Sequence, residues 1–316
     1  MQILFIGNTR LGDAILSTVV LNHFNSGDAH MTVICSPLSK EIYKNFNCVK
    51  KFILIEKKKR GRHWFEVYKS LDRKKWDLVI DLRNTILSRI VRKKKIIRYS
   101  NKNKHEHRVT SLANLIKNKY DISLKIPINY SVKKKSRQLI EEKKIEFPIL
   151  AVAPVTNWKR KNWPLKNFYE LINRLVSIRN NNNLYFKTVI ILGSKNEYEE
   201  CNILLNKIKK PKAINLCGQY NISIIYALLR QCNFFIGNDS GLMHLAASSN
   251  IPTLGLFGPS RDENYRPWGE KSFYIRTEKT YEELVNNKDY NRHDQTTLME
   301  SLSVEKVYKK CLQIIQ

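Results

Sequence analysis

The sequence lacks the features typical of a membrane-spanning or disulfide-stabilised protein. Nowhere do about 18 uncharged apolar residues follow one another, and only a short apolar run precedes Arg10 at the start of the chain. The six cysteines are scattered, with no C-x-x-C pair and no histidines at zinc-ligand spacing. We therefore expect no signal peptide, no spanning helix and no bound metal, and we expect reduced thiols in the cytosol.

The glycine fingerprints of two common nucleotide-binding loops are also absent. In "GNTRLGD" (7–13) the two glycines are five positions apart, which does not fit G-x-G-x-x-G, and no acidic residue closes a second strand in the dinucleotide-binding pattern. Asp13 stands where a phosphate-binding G-x-x-x-x-G-K-[ST] loop has its lysine. A NAD-dependent oxidoreductase therefore has little support from motifs, although the class stays open on architecture.

Acidic residues are scarce relative to basic ones. The 28 Asp and Glu residues face 56 Lys and Arg residues, which gives a net charge of +28, and residues 1–146 carry +20 of it. A basic surface of this kind could meet nucleic acid, acidic lipid head groups or a phosphorylated substrate. Lysine, asparagine and isoleucine richness from a genome-wide base bias would explain the same charge without any partner. The densest runs are "EKKKRGR" (56–62), "RKKKIIR" (92–98) and "VKKKSR" (132–137).

Apolar runs and helical stretches alternate along the first half of the chain. The run "QILFIG" (2–7) is typical of a buried strand, and residues 12–24 carry an apolar stripe typical of a helix. Strands alternating with helices predict a parallel sheet covered on both faces. The further strands expected in this half are "MTVIC" (31–35), "KFILIE" (51–56), "DLVIDL" (77–82) and "KIIRYS" (95–100).

The same alternation begins again after a polar segment near 119–147, which we interpret as a linker. We therefore expect two doubly wound α/β domains, residues 1–147 and 148–316, with ligands bound beyond the carboxyl ends of the strands in a cleft between the domains. A terminal helix capped by Ser303 would end the second domain. The strands expected here are "ILAVAP" (149–154), "FKTVIILG" (186–193), "AINLCG" (213–218), "NFFIGN" (233–238) and "TLGLFG" (253–258), with helices from Leu165, Glu197 and Ser223.

The stretch "GNDSGLMH" (237–244) places polar residues where a strand is expected to pass into a helix. Asp239 and Ser240 lie at the expected helix N-cap, and Gly241 lets a ligand approach the backbone closely. A helix start offers unpaired backbone N–H groups and the positive end of the helix dipole, which suit a phosphate. The alternative is that Asp239 or Ser240 only caps the helix and that His244 packs in the core.

Acidic, basic and hydroxyl residues follow other expected strands. Asp13 suits removal of a proton from a hydroxyl nucleophile, although an acid near a helix N-terminus is also favourable without any such role. In "APVTNWKRKNWP" (153–164), Thr156 can donate to a phosphate oxygen and Lys161 can stabilise a leaving diphosphate, or the cations of this loop are only solvated. Glu197 follows a strand-ending glycine and either accepts a sugar hydroxyl or caps its helix.

Together these motifs resemble glycosyltransferase family 9, the bacterial lipopolysaccharide heptosyltransferases. The resemblance rests on "GNTRLGD" at the N-terminus, "KNWP" (161–164), "NDSGLMHLAA" (238–247) and "LFGPS" (256–260), which follow the family's order over residues 1 to about 268. It implies the GT-B fold, in which two Rossmann-like domains face each other across a cleft. The N-terminal domain would bind the acceptor and the C-terminal domain the nucleotide sugar.

The resemblance also implies a role for each matching residue. Asp13 stands in the place of the general base that deprotonates the acceptor hydroxyl, on an acceptor-side loop that includes Arg10 and Gly12. Lys161 matches the lysine that steadies the donor diphosphate, and Asn157 departs from the family, in which Thr, Ala or Gly is common at this position. The other donor-binding residues implied are Thr156 at a phosphate, Glu197 at the ribose, and Asp239, Ser240, Gly241 and His244 at the diphosphate and heptose.

The reaction implied is transfer of heptose from ADP-heptose to the inner core of lipopolysaccharide, with inversion and without a cofactor or metal ion; the sequence has no D-x-D metal site. We expect a cytoplasmic enzyme, peripheral on the inner face of the cytoplasmic membrane, whose basic first half meets anionic lipid A, core sugars and lipid head groups. Two alternatives stay open. One is a same-fold transferase that uses another nucleotide sugar, such as a UDP-sugar, and the other is a basic nucleic-acid-binding protein.

Overall fold

A computed structural model of the chain describes residues 1–56, 63–100, 105–118, 122–180, 183–286, 290–291 and 293–315. These residues form two compact units, Met1–Asn129 and Tyr130–Gln316, which we describe separately. The domain boundary expected at 147/148 stays a prediction. Apart from Glu56, the basic run at 56–62 lies outside the described residues.

The first unit is built on a parallel sheet of five strands. The expected strands are all confirmed. Strand β1 lies in the centre of the sheet, and its residues Ile3, Leu4, Phe5 and Ile6 are completely buried. The strands are β1 (Gln2–Ile6), β2 (His30–Cys35), β3 (Val49–Leu54), β4 (Trp76–Asp81) and β5 (Lys93–Arg98), in the order β3-β2-β1-β4-β5.

Helices cover both faces of this sheet, and one of them differs from the prediction. The helix expected over 12–24 is two helices that meet at Ser17, because side chains there bond to the preceding turn. Ser17 Oγ donates to the carbonyl of Ala14 at 2.8 Å, and Thr18 Oγ1 donates to that of Ile15 at 2.7 Å. The helices are α1 (Leu11–Leu16), α2 (Thr18–Phe24), α3 (Pro37–Tyr43), α4 (His63–Ser70), α5 (Leu87–Ile90) and α6 (Arg108–Leu115).

The second unit is built on a parallel sheet of six strands and carries a small antiparallel pair. All five strands expected here are confirmed. The edge strand Ser272–Arg276 was not predicted, since polar residues flank its short apolar run. The strands are β6 (Ile149–Ala153), β7 (Arg179–Asn180), β8 (Asn183–Leu184), β9 (Thr188–Ile191), β10 (Lys212–Asn215), β11 (Phe234–Asn238), β12 (Thr253–Phe257) and β13 (Ser272–Arg276), with sheet order β10-β9-β6-β11-β12-β13 and β7 paired with β8.

The helices of the second unit include one in the segment that we interpreted as a linker. Residues Tyr130–Glu142 form a helix, and Val132, Ser136 and Leu139 lie on its one buried stripe. The many lysines around these three residues make the segment appear polar in composition. The helices are α7 (Tyr130–Glu142), α8 (Leu165–Val176), α9 (Tyr198–Leu205), α10 (Ile222–Leu229), α11 (Gly241–Ser248), α12 (Asp262–Tyr265), α13 (Tyr281–Val285) and α14 (Val304–Ile315), with short 3-10 helices at Lys159–Lys161 and Lys195–Glu197.

Trp163 ties the loop after β6 to the core of this unit. Its side chain is 1% exposed, and its ring packs edge-on against Phe168 with centroids 5.0 Å apart. Its indole Nε1 donates to the carbonyl of Leu302 at 2.8 Å, next to Ser303, whose hydroxyl caps α14 as predicted. The loop that carries the candidate cations is therefore anchored by a buried aromatic side chain.

The remaining sequence expectations concern cysteines and membranes. All six cysteines are unpaired and buried, and burial raises the pKa of the Cys35 thiol to about 12 and that of Cys48 to about 11. Within the described ranges, no helix has both the length and the apolarity needed to cross a bilayer.

Candidate active site

The seam between β11 and α11 brings together four of the expected residues, namely Asp239, Ser240, Gly241 and His244. Strand β11 ends at Asn238, Asp239 follows it, and Ser240 is the N-cap of α11, where its Oγ accepts from the N–H of Met243 at 3.4 Å. Gly241 is the first residue of the helix, so no side chain covers the helix start at that position. The predicted cap is thus confirmed. A helix start of this kind suits an anion, and anion binding at the seam stays a prediction.

A partly buried ion pair joins this seam to the loop after β6, which we call the cation loop (153–164). Lys161 Nζ donates to Asp239 Oδ2, and the two side chains are 22% and 8% exposed. Burial on its own would raise the pKa of Asp239, but the charge of Lys161, together with His244, outweighs burial and lowers it. Asp239 is therefore ionised near neutral pH, and it holds the Lys161 ammonium at the start of α11.

The three consecutive cations of the loop are not simply solvated. Each pairs with a carboxylate from a different part of the second unit: Lys159 with Glu200 at 3.0 Å and Arg160 with Asp294 at 2.6 Å, while Lys161 pairs with Asp239. The neighbours of Lys161 are thus held by α9 and by the segment before α14. Only Lys161 of the three is paired at the seam.

Thr156 makes contacts within the same loop. Its Oγ1 donates to Asn162 Oδ1 at 2.8 Å, and its N–H donates to the same oxygen at 2.9 Å. The residue is 7% exposed, and its two bonds to Asn162 join the beginning of the loop to its end. A phosphate contact by Thr156 stays a prediction, and it would compete with the bond to Asn162.

Two asparagines support the site and were missed by reasoning from sequence. Asn238 is completely buried, and its Nδ2 donates to the carbonyl of Pro154 at 2.7 Å. Its Oδ1 accepts from the N–H of Trp163 at 3.1 Å, so it links β11 to both ends of the cation loop. Asn162 closes the loop onto Thr156. A polar residue at the buried end of an apolar strand was the available signal for Asn238.

Glu197 caps a helix start, as one of the two interpretations predicts. Its Oε2 accepts from the N–H of Ser194 at 2.6 Å, and Ser194 returns the contact as a capping box. A Cβ at Gly193 would lie 3.0 Å from the same oxygen and 2.8 Å from Cys217 Sγ, so glycine is needed for this close approach. Binding of a ribose by Glu197 stays a prediction.

His244 lies one turn into α11 and is 4% exposed. It packs as the core alternative predicts, yet it also lowers the pKa of Asp239 through its charge. Its burial fits the core interpretation, and contact of His244 with a donor stays a prediction.

In the first unit, Asp13 lies in the first turn of α1, just beyond the carboxyl end of β1. It is partly buried together with Gly12, and Asn8 Nδ2 donates to its carbonyl at 3.4 Å. Arg10 is the exposed N-cap residue of this helix and makes no capping hydrogen bond with its side chain. The position is the one expected for a carboxylate at a ligand-binding strand end.

A comparison of the sequence with family models decides the class of protein. A model described as glycosyltransferase family 9 (heptosyltransferase) matches residues 64–293. The chain belongs to glycosyltransferase family 9. It is therefore an enzyme of the heptosyltransferase type, and the resemblance seen in the motifs is confirmed.

Two named heptosyltransferases are similar to the chain, one over most of its length and the other over less than half. The enzyme is 28% identical over 279 residues to lipooligosaccharide heptosyltransferase 2 of Campylobacter jejuni, which covers 82% of each chain. It is 30% identical over 135 residues to lipopolysaccharide heptosyltransferase 2 of Escherichia coli, which covers 42% of this chain and 37% of that relative.

Solved structures of family 9 share the fold. A glycosyl transferase family 9 protein of Veillonella parvula superposes with a TM-score of 0.80 at 20% identity, covering 99% of this chain and 97% of that one. An E. coli ADP-heptose lps heptosyltransferase II superposes with a TM-score of 0.74 at 16% identity, covering 100% and 98%. At these identities the likeness shows the fold, which is GT-B with two doubly wound α/β units, as predicted.

The structure thus places the predicted residues of this heptosyltransferase in two groups. Asp13, Gly12 and Arg10 lie at one strand end of the first unit, and Lys161, Asp239, Ser240, Gly241 and His244 lie around one seam of the second. Among the described residues, no three His, Cys, Asp or Glu side chains come close enough to hold a metal ion, and metal independence stays a prediction.

The Asp239 ion pair makes stability depend on pH. Because the pKa of Asp239 is lower in the folded protein than the value of about 3.9 in an unfolded chain, the ionised carboxylate stabilises the fold above that value. This stabilisation is lost as pH falls through the folded pKa. We expect Asp239→Asn to lower the free energy of unfolding by about 1.5–3 kcal/mol at pH 7, with the difference from wild type narrowing below about pH 4.

Urea unfolding from pH 7 to pH 3 measures this difference. Asp72→Asn is the control, because Asp72 pairs with Lys51 in an exposed bridge whose side chains are 44% and 45% exposed. Such a pair contributes about 0.2–1 kcal/mol. An equal deficit of Asp239→Asn at pH 3 and at pH 7 would show that the carboxylate charge does not stabilise the fold.

Proposed function

We propose that this heptosyltransferase moves heptose from ADP-heptose to the inner core of lipopolysaccharide, with inversion at the anomeric carbon. The observation that carries the proposal is a lysine held by a buried carboxylate at a helix start, in a chain of this family. The relatives that match are named as lipooligosaccharide and lipopolysaccharide heptosyltransferases, and one matching structure is named for ADP-heptose. These names support the choice of donor and acceptor.

The second unit would bind the donor at the β11–α11 seam. A diphosphate carries negative charge that increases as the sugar leaves, and both the Lys161 ammonium and the start of α11 are positive. Asp239 would accept hydrogen bonds from hydroxyls of the heptose while it keeps Lys161 in place. Glu197, half-buried at the end of the 3-10 helix that follows β9, would accept a hydrogen bond from a ribose hydroxyl, and Thr156 would donate to a phosphate oxygen.

The first unit would supply the base. The Asp13 carboxylate takes the proton of an acceptor hydroxyl, and the hydroxyl oxygen forms a bond to the anomeric carbon from the face opposite the diphosphate. The bond between the anomeric carbon and the diphosphate oxygen breaks, and ADP leaves with the electron pair. One displacement of this kind inverts the anomeric configuration, and none of its steps needs a metal ion.

Substitutions of Asp13 and Lys161 should affect different quantities, the transfer rate and the ADP affinity respectively. Asp13→Ala should lower transfer at saturating donor by about 10²-fold or more, because the base is lost, while ADP affinity stays within about twofold since Asp13 touches no donor. Lys161→Ala should weaken ADP binding by about 1–3 kcal/mol, the scale for losing a charged hydrogen-bond partner. Calorimetric titration with ADP and initial rates with ADP-heptose separate the two.

Each of the two proposed roles has a result that would contradict it. Turnover by Asp13→Ala at the wild-type rate would remove the residue from the mechanism, and undiminished ADP affinity in Lys161→Ala would remove the lysine from the donor site.

We further propose that the first unit binds the cytoplasmic membrane surface through helices α4 and α5. Both helices cover the same face of the sheet, since Val67 and Leu71 share one apolar cluster with Leu87 and Val91. Residues 63–98 hold 11 basic and 4 acidic residues. Large apolar side chains are exposed on these helices and at Ile86, the N-cap residue of α5. Their exposed fractions are 63% for Phe65, 46% for Tyr68, 65% for Ile86 and 53% for Ile90.

A surface that combines cations with exposed apolar side chains suits an anionic bilayer. Each Lys or Arg near such a surface contributes about 1 kcal/mol, and apolar side chains add to binding where they enter the interface. The basic residues of this segment are therefore expected to act together with Ile86 and Ile90. Of the three basic runs in the sequence, only the one at 92–98 lies in this segment.

Binding to vesicles tests this surface. The double variant Ile86→Ser/Ile90→Ser should bind vesicles containing phosphatidylglycerol at least about fivefold more weakly, because two apolar side chains are lost from the interface. Ile203→Ser is the matched control, since Ile203 is 56% exposed on α9. Raising salt should release the wild type. Equal binding by the double variant and the control, measured by co-sedimentation, would contradict the proposed face.

A further inference from the structure

The segment before α14 has no role in the proposed reaction, although it contacts the donor-side cation loop closely. We call Tyr290, Asn291 and residues 293–299 the strap. Its sequence is polar and aperiodic, but Met299 is completely buried, and a Cβ at Gly258 would lie only 2.3 Å from Met299 Sδ. The strap is therefore packed into the second unit at its C-terminal end.

The side chain of Arg160 is enclosed by the strap. Arg160 is 5% exposed, its Nη1 pairs with Asp294 Oδ2 at 2.6 Å, and the same atom donates to the carbonyl of Asn291 at 3.0 Å. The guanidinium lies 5.1 Å from the centre of the Tyr290 ring. A buried cation needs such partners, and Arg160 takes all of these from the strap.

The backbone of the loop is also bonded to the strap, on both sides of Lys161. The N–H of Leu298 donates to the carbonyl of Arg160 at 3.0 Å, and Thr297 Oγ1 donates to the carbonyl of Asn162 at 2.5 Å. Thr297 Oγ1 in turn accepts from the N–H of Met299 at 3.0 Å, which links these contacts to the buried methionine. The residues before and after Lys161 are thus held by the same segment.

These contacts give the neighbouring cations different tasks. Lys159 is 49% exposed and pairs with Glu200, whose side chain is 30% exposed, so this bridge lies at the surface. Arg160 is buried, and the carboxylate of Asp294 in the strap neutralises its charge. Lys161 alone of the three is paired at the seam with Asp239. A long, flexible lysine side chain reaches one position reliably only if the backbone that carries it is fixed.

We propose that the strap positions Lys161 for the donor diphosphate, with Arg160, Asp294 and Thr297 as its positioning residues. The inference rests on the proposed function, because it takes Lys161 to be the group that binds the diphosphate. In this arrangement the strap touches no substrate. It acts only through the backbone of the 3-10 helix Lys159–Lys161.

A pair of matched carboxylate variants tests the positioning role. Asp294→Ala removes the partner of Arg160, and Glu200→Ala removes the partner of Lys159, the adjacent cation. Asp294→Ala should weaken ADP binding by about tenfold, because the lysine loses its fixed backbone, whereas Glu200→Ala should leave ADP affinity within about twofold, as for an exposed bridge. Calorimetric titration gives both values, with UDP in place of ADP if only UDP binds the wild type.

A double-mutant cycle separates positioning from general stability. In the Lys161→Ala background, Asp294→Ala should change nucleotide affinity by less than about twofold, because residues that act through one group are not additive. A second tenfold loss in that background would overturn the proposal. If Lys161→Ala itself leaves affinity unchanged, the proposed function of Lys161 fails instead.

Hydrogen exchange tests the strap without any ligand. The amides of Lys161 and Asn162 donate to Trp158 and Lys159 at 2.9 Å each, so they report the order of the short helix. Asp294→Ala should speed their exchange by about tenfold relative to amides of β11, and Glu200→Ala should not. Thr297→Val, which keeps the ion pair, should act in the same direction if Asp294→Ala folds poorly. Unchanged exchange in both strap variants would overturn the positioning role.

Discussion

The proposed donor site depends on one interaction, the partly buried ion pair between Lys161 and Asp239. It joins the loop after β6 to the end of β11, and Asn238 reinforces the junction with bonds to Pro154 and Trp163. A buried carboxylate without a cation would be costly, so the pair holds the loop against the sheet as well as holding charge. The same lysine therefore serves folding and, in the proposed reaction, the diphosphate.

In the proposed donor site, this arrangement would explain why a site for an anion contains an acid. Asp239 neutralises the charge of Lys161. It also keeps the Lys161 ammonium beside the start of α11, where the helix dipole adds positive potential. Preorganised charges of this kind stabilise a leaving group without rearranging during the reaction. The strap extends the same principle to the backbone, since it anchors the residues on either side of the lysine.

Most of the fold could be predicted from the sequence, because buried parallel strands are short apolar runs with clear ends. The predictions failed where side-chain contacts decide the structure. Ser17 breaks a continuous apolar stripe by bonding to the preceding turn, and α7 hides a three-residue stripe among lysines. The seam residues could be predicted from the motif. The partners of Asn238 and Arg160 could not, since Trp163 lies 75 positions from Asn238 and Asn291 lies 131 positions from Arg160. Asn162 and Thr156 are only six positions apart, but no pattern in the sequence marks the bond between them.

The central claim is that the second unit binds an ADP-linked sugar, and a thermal-shift series tests it most directly. The purified full chain is heated without metal in the presence of ADP, ADP-heptose, UDP, GDP or NAD. At 100 times its dissociation constant a ligand adds about 2.7 kcal/mol to the free energy of unfolding, which raises the midpoint visibly. We expect stabilisation by ADP and ADP-heptose. No shift with either of them, together with a shift by UDP or NAD, would contradict it.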